Sequence, residues 1–160
     1  MEYHKKHWFN WANYEELCQV LKVKLEPFLS HRKGNEVVLV PLIRGGLALG
    51  LSMSHLTGFK KVVPICFRST DGDETDYPTL NAILDNNDYK CVVFLDEITD
   101  DGTVFNKISE HVRATLKGKD LIWCSLVNLK REKGHFTEVI WASEMSDESI
   151  WYYFPWDVEN

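Results

Sequence analysis

The sequence predicts an open α/β protein, a mostly parallel twisted sheet flanked by helices. Three observations carry this. Apolar runs rich in β-branched residues recur at Glu36–Leu42, Lys61–Phe67, Lys90–Leu95 and Leu121–Val127. They are nearly continuous rather than alternating, as strands buried on both faces are. Helical segments stand between them, and strand, turn, helix and strand in succession mean βαβ crossovers. Finally, 160 residues with 44 % apolar content suit one domain, 1–160, whose core needs no staples.

Taken in order, Asn13-Tyr14-Glu15-Glu16 reads as a capping box, with Asn13 accepting a backbone N–H three residues on and Glu16 reaching back. An amphipathic helix follows, its stripe formed by Leu17, Val20, Leu21, Leu25 and Phe28. After the first core strand, Leu47–Thr57 reads as a helix closed by Gly58. Arg68–Pro78 is polar, acidic and without periodicity. It is a loop, either a lid or a solvated connection. Thr103–Leu116 reads as a further helix.

A formal charge of −6 argues against a general nucleic-acid binder, which wants a basic face. No apolar run reaches the roughly 18–20 residues that span a bilayer, and the N-terminus lacks a signal-peptide core. A cytoplasmic protein is expected. The cysteines Cys18, Cys66, Cys91 and Cys124 are scattered without a CxxC pair, the pattern of free thiols in a reducing compartment. The histidines form no metal-ligand spacing.

Ligands of open α/β sheets sit beyond the carboxyl ends of the strands, so the residues after each apolar run matter most. The first run leads into Arg44-Gly45-Gly46 and a helix. Glycines permit close backbone approach, while a helix N-terminus and Arg44 both suit an anion. The third run leads into Asp96-Glu97-Ile98-Thr99-Asp100-Asp101-Gly102-Thr103-Val104. Adjacent carboxylates at a strand end repel unless ribose hydroxyls or a metal ion binds them. Asp100–Thr103 can form a nest of amides for an anion; the other reading is an Asp cap on the following helix. A cap needs one acid, whereas this segment has four in six residues.

The apolar strand followed by Asp-Glu-Ile-Thr-Asp-Asp-Gly-Thr resembles the ribose-phosphate signature of type I phosphoribosyltransferases. Upstream, Arg44-Gly45-Gly46 is similar to the family's pyrophosphate loop. Downstream, Trp151-Tyr152-Tyr153-Phe154-Pro155-Trp156-Asp157 is similar to the closing Trp-x-x-x-Pro-Trp segment of bacterial xanthine-guanine members. Order and spacing agree from about Glu36 to the C-terminus.

The resemblance implies that fold with a small C-terminal hood, and transfer of a 5-phosphoribosyl group from phosphoribosyl pyrophosphate to a purine base. It implies Mg²⁺ as cofactor, a homodimer or homotetramer, and no nucleic-acid or membrane partner. Asp96 and Glu97 would hold the ribose hydroxyls and the metal. The amides of Asp100, Asp101, Gly102, Thr103 and Val104, with the Thr103 hydroxyl, would cradle the 5′-phosphate. Arg44 and Gly45 would bind pyrophosphate, and Asp100 would handle the base's N7 proton. Trp151, Tyr152 and Lys130 would face the base, although Trp151 also reads as a core aromatic. Asp101 departs from the family, which usually carries Thr or Ala there. Two charges about 4 Å apart repel by about 4 kcal/mol at an effective dielectric near 20. Either that side chain turns away, or the site has changed its ligand or lost turnover. A nucleotide-sensing regulator on the same fold, and a transferase for another base, stand as alternatives.

Overall fold

The computed structural model describes residues 5–67, 75–115, 118–129, 136–147 and 149–158. Strand β1 (Lys5–Trp8) precedes helix α1 (Trp11–Leu29), followed by β2 (Val37–Ile43), α2 (Gly46–Thr57) and β3 (Ile65–Cys66). Then come α3 (Tyr77–Asp85), β4 (Cys91–Thr99), α4 (Thr103–Thr115), β5 (Asp120–Leu129), β6 (Val139–Met145) and β7 (Ile150–Tyr153). Five strands form a parallel sheet in the order β3-β2-β4-β5-β6, while β1 and β7 pair in parallel as a separate two-stranded ribbon.

Alternation along the buried strands feeds two cores. Val37, Leu39, Val93, Leu95 and Cys124 pack with α1 and α2. Val38, Val40, Val92, Phe94 and Trp123 pack with α3 and α4. On the second side Trp123, 1 % exposed, stacks on Phe94 with ring centroids 4.4 Å apart. Both sheet faces are thus covered by helices, the arrangement of a doubly wound sheet. Helix α2 lies very close to the sheet because it is small where it crosses. A Cβ at Gly50 would meet Pro41 at 2.7 Å, and one at Gly46 would meet the Leu95 carbonyl oxygen at 2.3 Å. Gly58 ends this helix in the left-handed region, at φ 81°, as its position after the apolar stretch predicts.

Several expectations need correction. The cap of α1 is Asn10, not Asn13. Asn10 accepts the Asn13 N–H at 2.9 Å, and Asn13 Oδ1 accepts the Asn10 N–H at 3.2 Å, so Asn13 fills the third helical position of the box. The buried stripe runs through Tyr14, Cys18, Leu21, Leu25 and Leu29. Val20 and Phe28 face solvent instead. The stripe is rotated because Tyr14 is anchored on α2, its hydroxyl 2.8 Å from Ser52 Oγ. The second apolar run yields only a two-residue strand plus a bridge between Val62 and Leu39. Pro64, which has no N–H to donate to a ladder, separates the two pieces. The polar loop does not reach Pro78. Helix α3 starts at Tyr77, capped by Asp76, whose Oδ1 accepts the Thr79 N–H at 3.1 Å. Residues 68–74 of that loop, expected as a lid or a solvated connection, lie outside the described residues, as does Leu116 at the expected end of α4.

The hood, expected from the C-terminus alone, uses both ends of the chain. β1 lies along β7 in register from Lys5↔Ile150 to Trp8↔Tyr153. Phe9 then packs on Phe154 and Tyr152, with centroids 5.2 and 6.1 Å apart. Trp156 stacks on Phe154 and meets Tyr14 edge-on at 5.3 Å, which fastens the hood to α1. Cys18, Cys91 and Cys124 are buried free thiols, and Cys66 is partly exposed. Burial pushes the Cys91 thiol up to about 11.

Candidate active site

The carboxyl ends of β2, β4 and β5 open into a cavity of about 780 Å³. Its floor includes Arg44, Gly45, Glu97, Ile98, Asp100 and Leu129, and its roof is the β7 ribbon with the Phe154–Val158 tail. The strand does not stop at the acids, as the end of the apolar run at Leu95 suggests. β4 continues through Thr99, held in register by Asp96↔Ser125, Ile98↔Val127 and Thr99↔Asn128 on β5. Ladder hydrogen bonds come from the backbone, so polar side chains do not end the strand. The consequence is a rigid mount for Asp96 and Glu97.

Glu97 lies against the turn after β2. A Cβ on Gly45 would fall 1.7 Å from the Glu97 carboxyl carbon. Gly45 is therefore glycine to admit Glu97, and its own torsions are helical (φ −62°, ψ −40°). The peptide bond between Ile43 and Arg44 in this turn is cis. Arg44 is exposed, and no ion pair engages it among the described residues.

Asp96 Oδ1 accepts the Glu97 N–H at 3.0 Å. Burial, then the Glu97 carboxylate beside it, hold the Asp96 carboxyl well above the usual carboxylate range. Glu97 Oε2 is buried with no hydrogen-bond partner among the described residues. Two adjacent acids, one with its proton affinity raised by burial and by its neighbour and one with an orphaned oxygen, suit a cation or hydroxyl donors. Magnesium commonly binds through one or two carboxylates completed by water and substrate phosphates. The pair fits such an ion only with water and substrate completing its shell, for among the described residues no group of three or more potential protein ligands gathers anywhere.

The turn into α4 carries Asp100 on the cavity wall, then Asp101, Gly102 and Thr103. Gly102 is buried at φ 75°, a torsion side chains resist. Asp101 is exposed, and its Oδ1 accepts the Thr103 N–H at 2.9 Å. The carboxylate thus occupies an amide of the expected phosphate cradle. Thr103 and Val104 are partly buried in the first turn of α4.

No protein-family profile matches the chain, and no curated protein sequence does. Solved structures do. A xanthine-guanine-hypoxanthine phosphoribosyltransferase of Helicobacter pylori superposes with a TM-score of 0.75 at 18 % identity, covering 96 % of this chain and 94 % of that one. A purine phosphoribosyltransferase of Pyrococcus horikoshii gives 0.72 at 19 % identity, covering 98 % and 96 %. This is the type I phosphoribosyltransferase fold. A hypothetical protein of Neisseria gonorrhoeae, solved with bound ppGpp, matches at 0.66 and 14 % identity over 99 % of this chain and 91 % of that one.

Within the phosphoribosyltransferase fold, Arg44, Gly45, Glu97, Asp100, Trp151 and Tyr152 all line one cavity, and Asp96 adjoins it through Glu97. Trp151, 44 % exposed, stands edge-on to Tyr153 at 6.4 Å. It is not a core aromatic. Tyr152 is mostly buried among Phe9 and His7. Lys130 lies outside the described residues. Sequence reasoning overlooked Ile98 and Asp157 on the wall. Asp157 shapes the roof, with Oδ2 accepting the Phe154 N–H at 2.7 Å and its own N–H donating to the Phe154 carbonyl at 2.9 Å.

Proposed function

We propose that the protein is an enzyme, a purine phosphoribosyltransferase that joins a 6-oxopurine to phosphoribosyl pyrophosphate, releasing a nucleoside 5′-monophosphate and pyrophosphate. One observation carries the reading. The Asp96–Glu97 pair, rigidly mounted and electrostatically incomplete, meets the Arg44–Gly46 turn beneath an aromatic roof.

In this reading the two carboxylates grip the ribose 2′ and 3′ hydroxyls, and Arg44 stabilises the charge that collects on the departing pyrophosphate. Bound Mg²⁺, held by Asp96 and Glu97, supplies further charge neutralisation at that leaving group. Trp151 aligns the base by stacking, and Asp100 takes the N7 proton. Holding both reactants in one roofed cavity supplies orientation and excludes water from the cation-like transition state. A homodimer or homotetramer belongs to the same proposal.

The test is pyrophosphate release with guanine, xanthine, hypoxanthine and adenine, with and without Mg²⁺. Mg²⁺-dependent release with at least one oxopurine is the expected result. A second reading, a nucleotide-binding regulator without turnover, draws on the Asp101 carboxylate in the phosphate turn and on the fold neighbour solved with ppGpp. No release with any base, alongside tight nucleotide binding, decides for that reading.

A further inference from the structure

Two aromatic residues that β7 turns the same way make a corner in the cavity. Successive side chains of a strand point to opposite faces, so Trp151 and Tyr153 share one face and Tyr152 takes the other. Tyr152 packs inside the hood against Phe9 and His7. Trp151 and Tyr153 both line the cavity, with ring centroids 6.4 Å apart and planes at 70°. A flat ligand stacked on the indole therefore turns an edge towards the phenol. Packing also fixes the Tyr153 ring. Trp8, its partner across the ribbon, lies flat on it at 4.1 Å and 9°, and Lys6 sets its ammonium 5.9 Å from the ring centroid. A half-buried phenol normally finds a hydrogen-bond partner. Among the described residues none engages the Tyr153 hydroxyl.

We infer that Tyr153 is a specificity-determining residue, its hydroxyl donating to a carbonyl on the edge of the bound base, and that Trp8 is the positioning residue that holds its ring. The inference rests on the proposed seating of a purine on Trp151. The Lys6 ammonium beside the ring draws electron density from the phenol, which makes its O–H a better donor and its oxygen a poorer acceptor. A carbonyl accepts that O–H, whereas an amino group meets donor with donor. Xanthine and guanine differ in this respect at C2, where the first carries an oxygen and the second an amino group. The corner therefore selects the dioxopurine over the aminopurine, and hypoxanthine, with only hydrogen at C2, falls between them.

Calorimetric titration of the full chain with the 5′-monophosphates of xanthosine, guanosine and inosine tests this against Tyr153→Phe, Trp8→Ala and Trp8→Phe. Tyr153→Phe keeps a ring on Trp8 and removes only the hydroxyl, and thermal unfolding checks that each variant is folded. The unaltered chain should bind the xanthosine nucleotide about three- to tenfold more tightly than the guanosine nucleotide, the fold-change that one hydrogen bond represents. That ratio should collapse towards one in Tyr153→Phe and in Trp8→Ala, and survive in Trp8→Phe, which restores a stacking ring. A merely structural loss lowers all three affinities together and leaves the ratio unmoved. A ratio near one in the unaltered chain, or the same ratio in Tyr153→Phe, would overturn the role of Tyr153 while leaving the base seat intact. Loss of the ratio in Tyr153→Phe with its survival in Trp8→Ala would sink the positioning role of Trp8. Failure of all three nucleotides to bind the unaltered chain would overturn the base seat, and this inference with it.

Discussion

One methyl group added at Gly45, and one at Gly46, separates the chemistry of the site from the stability of the fold. At Gly45 the backbone already accepts alanine (φ −62°, ψ −40°), and the obstacle is the Glu97 carboxyl, 1.7 Å from the new Cβ. Real Cβ contacts essentially never fall under 3.0 Å, so the carboxyl must retreat by more than an ångström. Being the far end of a rotatable chain, it can. At Gly46 the new Cβ lies 2.3 Å from the Leu95 carbonyl oxygen, and no rotamer moves a strand backbone. Either α2 or β4 has to shift. Overpacking of that kind costs about 1–3 kcal/mol, which for a chain of this size lowers Tm by roughly 3–10 °C. Gly45→Ala should stay within about 1 kcal/mol of the unaltered protein yet lose Mg²⁺-dependent binding of phosphoribosyl pyrophosphate. Thermal unfolding and calorimetric titration of both variants read the two effects separately. Unfolding of Gly45→Ala as early as Gly46→Ala, or its undiminished binding of phosphoribosyl pyrophosphate, would refute the packing argument for Glu97.

Three other outcomes are expected. Because the Asp96 carboxyl is raised in the folded state, the folded chain holds a proton that the unfolded chain releases. Its contribution is fully present below the unfolded value and lost as pH rises through the folded one, so Asp96→Asn should flatten a decline in stability with rising pH above the usual Asp range; denaturant melts across pH measure it. Asn128 is 0 % exposed and, among the described residues, neither its Oδ1 nor its Nδ2 is partnered, so Asn128→Leu should be neutral or stabilising in urea unfolding, since removing orphaned polar atoms removes their desolvation cost. Trp151→Ala should leave Tm nearly unchanged, because the side chain is 44 % exposed, while weakening purine nucleotide binding by about 1–3 kcal/mol, the range of aromatic–base stacking; fluorescence titration with GMP distinguishes the two effects.

The central strands were legible because burial on both faces writes itself into composition. Val37–Val40 and Cys91–Leu95 admit little but apolar residues. What the sequence concealed was decided by pairing rather than by side chains. Asp96-Glu97-Ile98-Thr99 looks like the end of a strand, yet β5 offers a ladder partner as far as Asn128 and the backbone takes it. The rotation of the α1 stripe was similarly hidden. Val20 and Tyr14 are both plausible inward residues until Ser52 and Trp156 are present to receive the tyrosine. Helix α3 was readable in principle, since Leu80, Ile83 and Leu84 keep helical spacing and proline is at home in a first turn. β1 was not, for Lys5–Trp8 is exposed throughout and becomes a strand only through β7. At the site, types and spacing exposed the acids and Arg44, but only coordinates reveal that Gly45 exists for Glu97 and that Asp101 sits on Thr103.

Because residues 5–8 pair along residues 150–153, which line the cavity, two segments far apart in sequence act as one clasp. Trimming the first nine residues would strip β7 of its neighbour and bare the rings of Tyr152 and Phe154. Fusion partners are therefore best grafted into a surface turn remote from the clasp, such as that around Asn87 and Asp88 between α3 and β4.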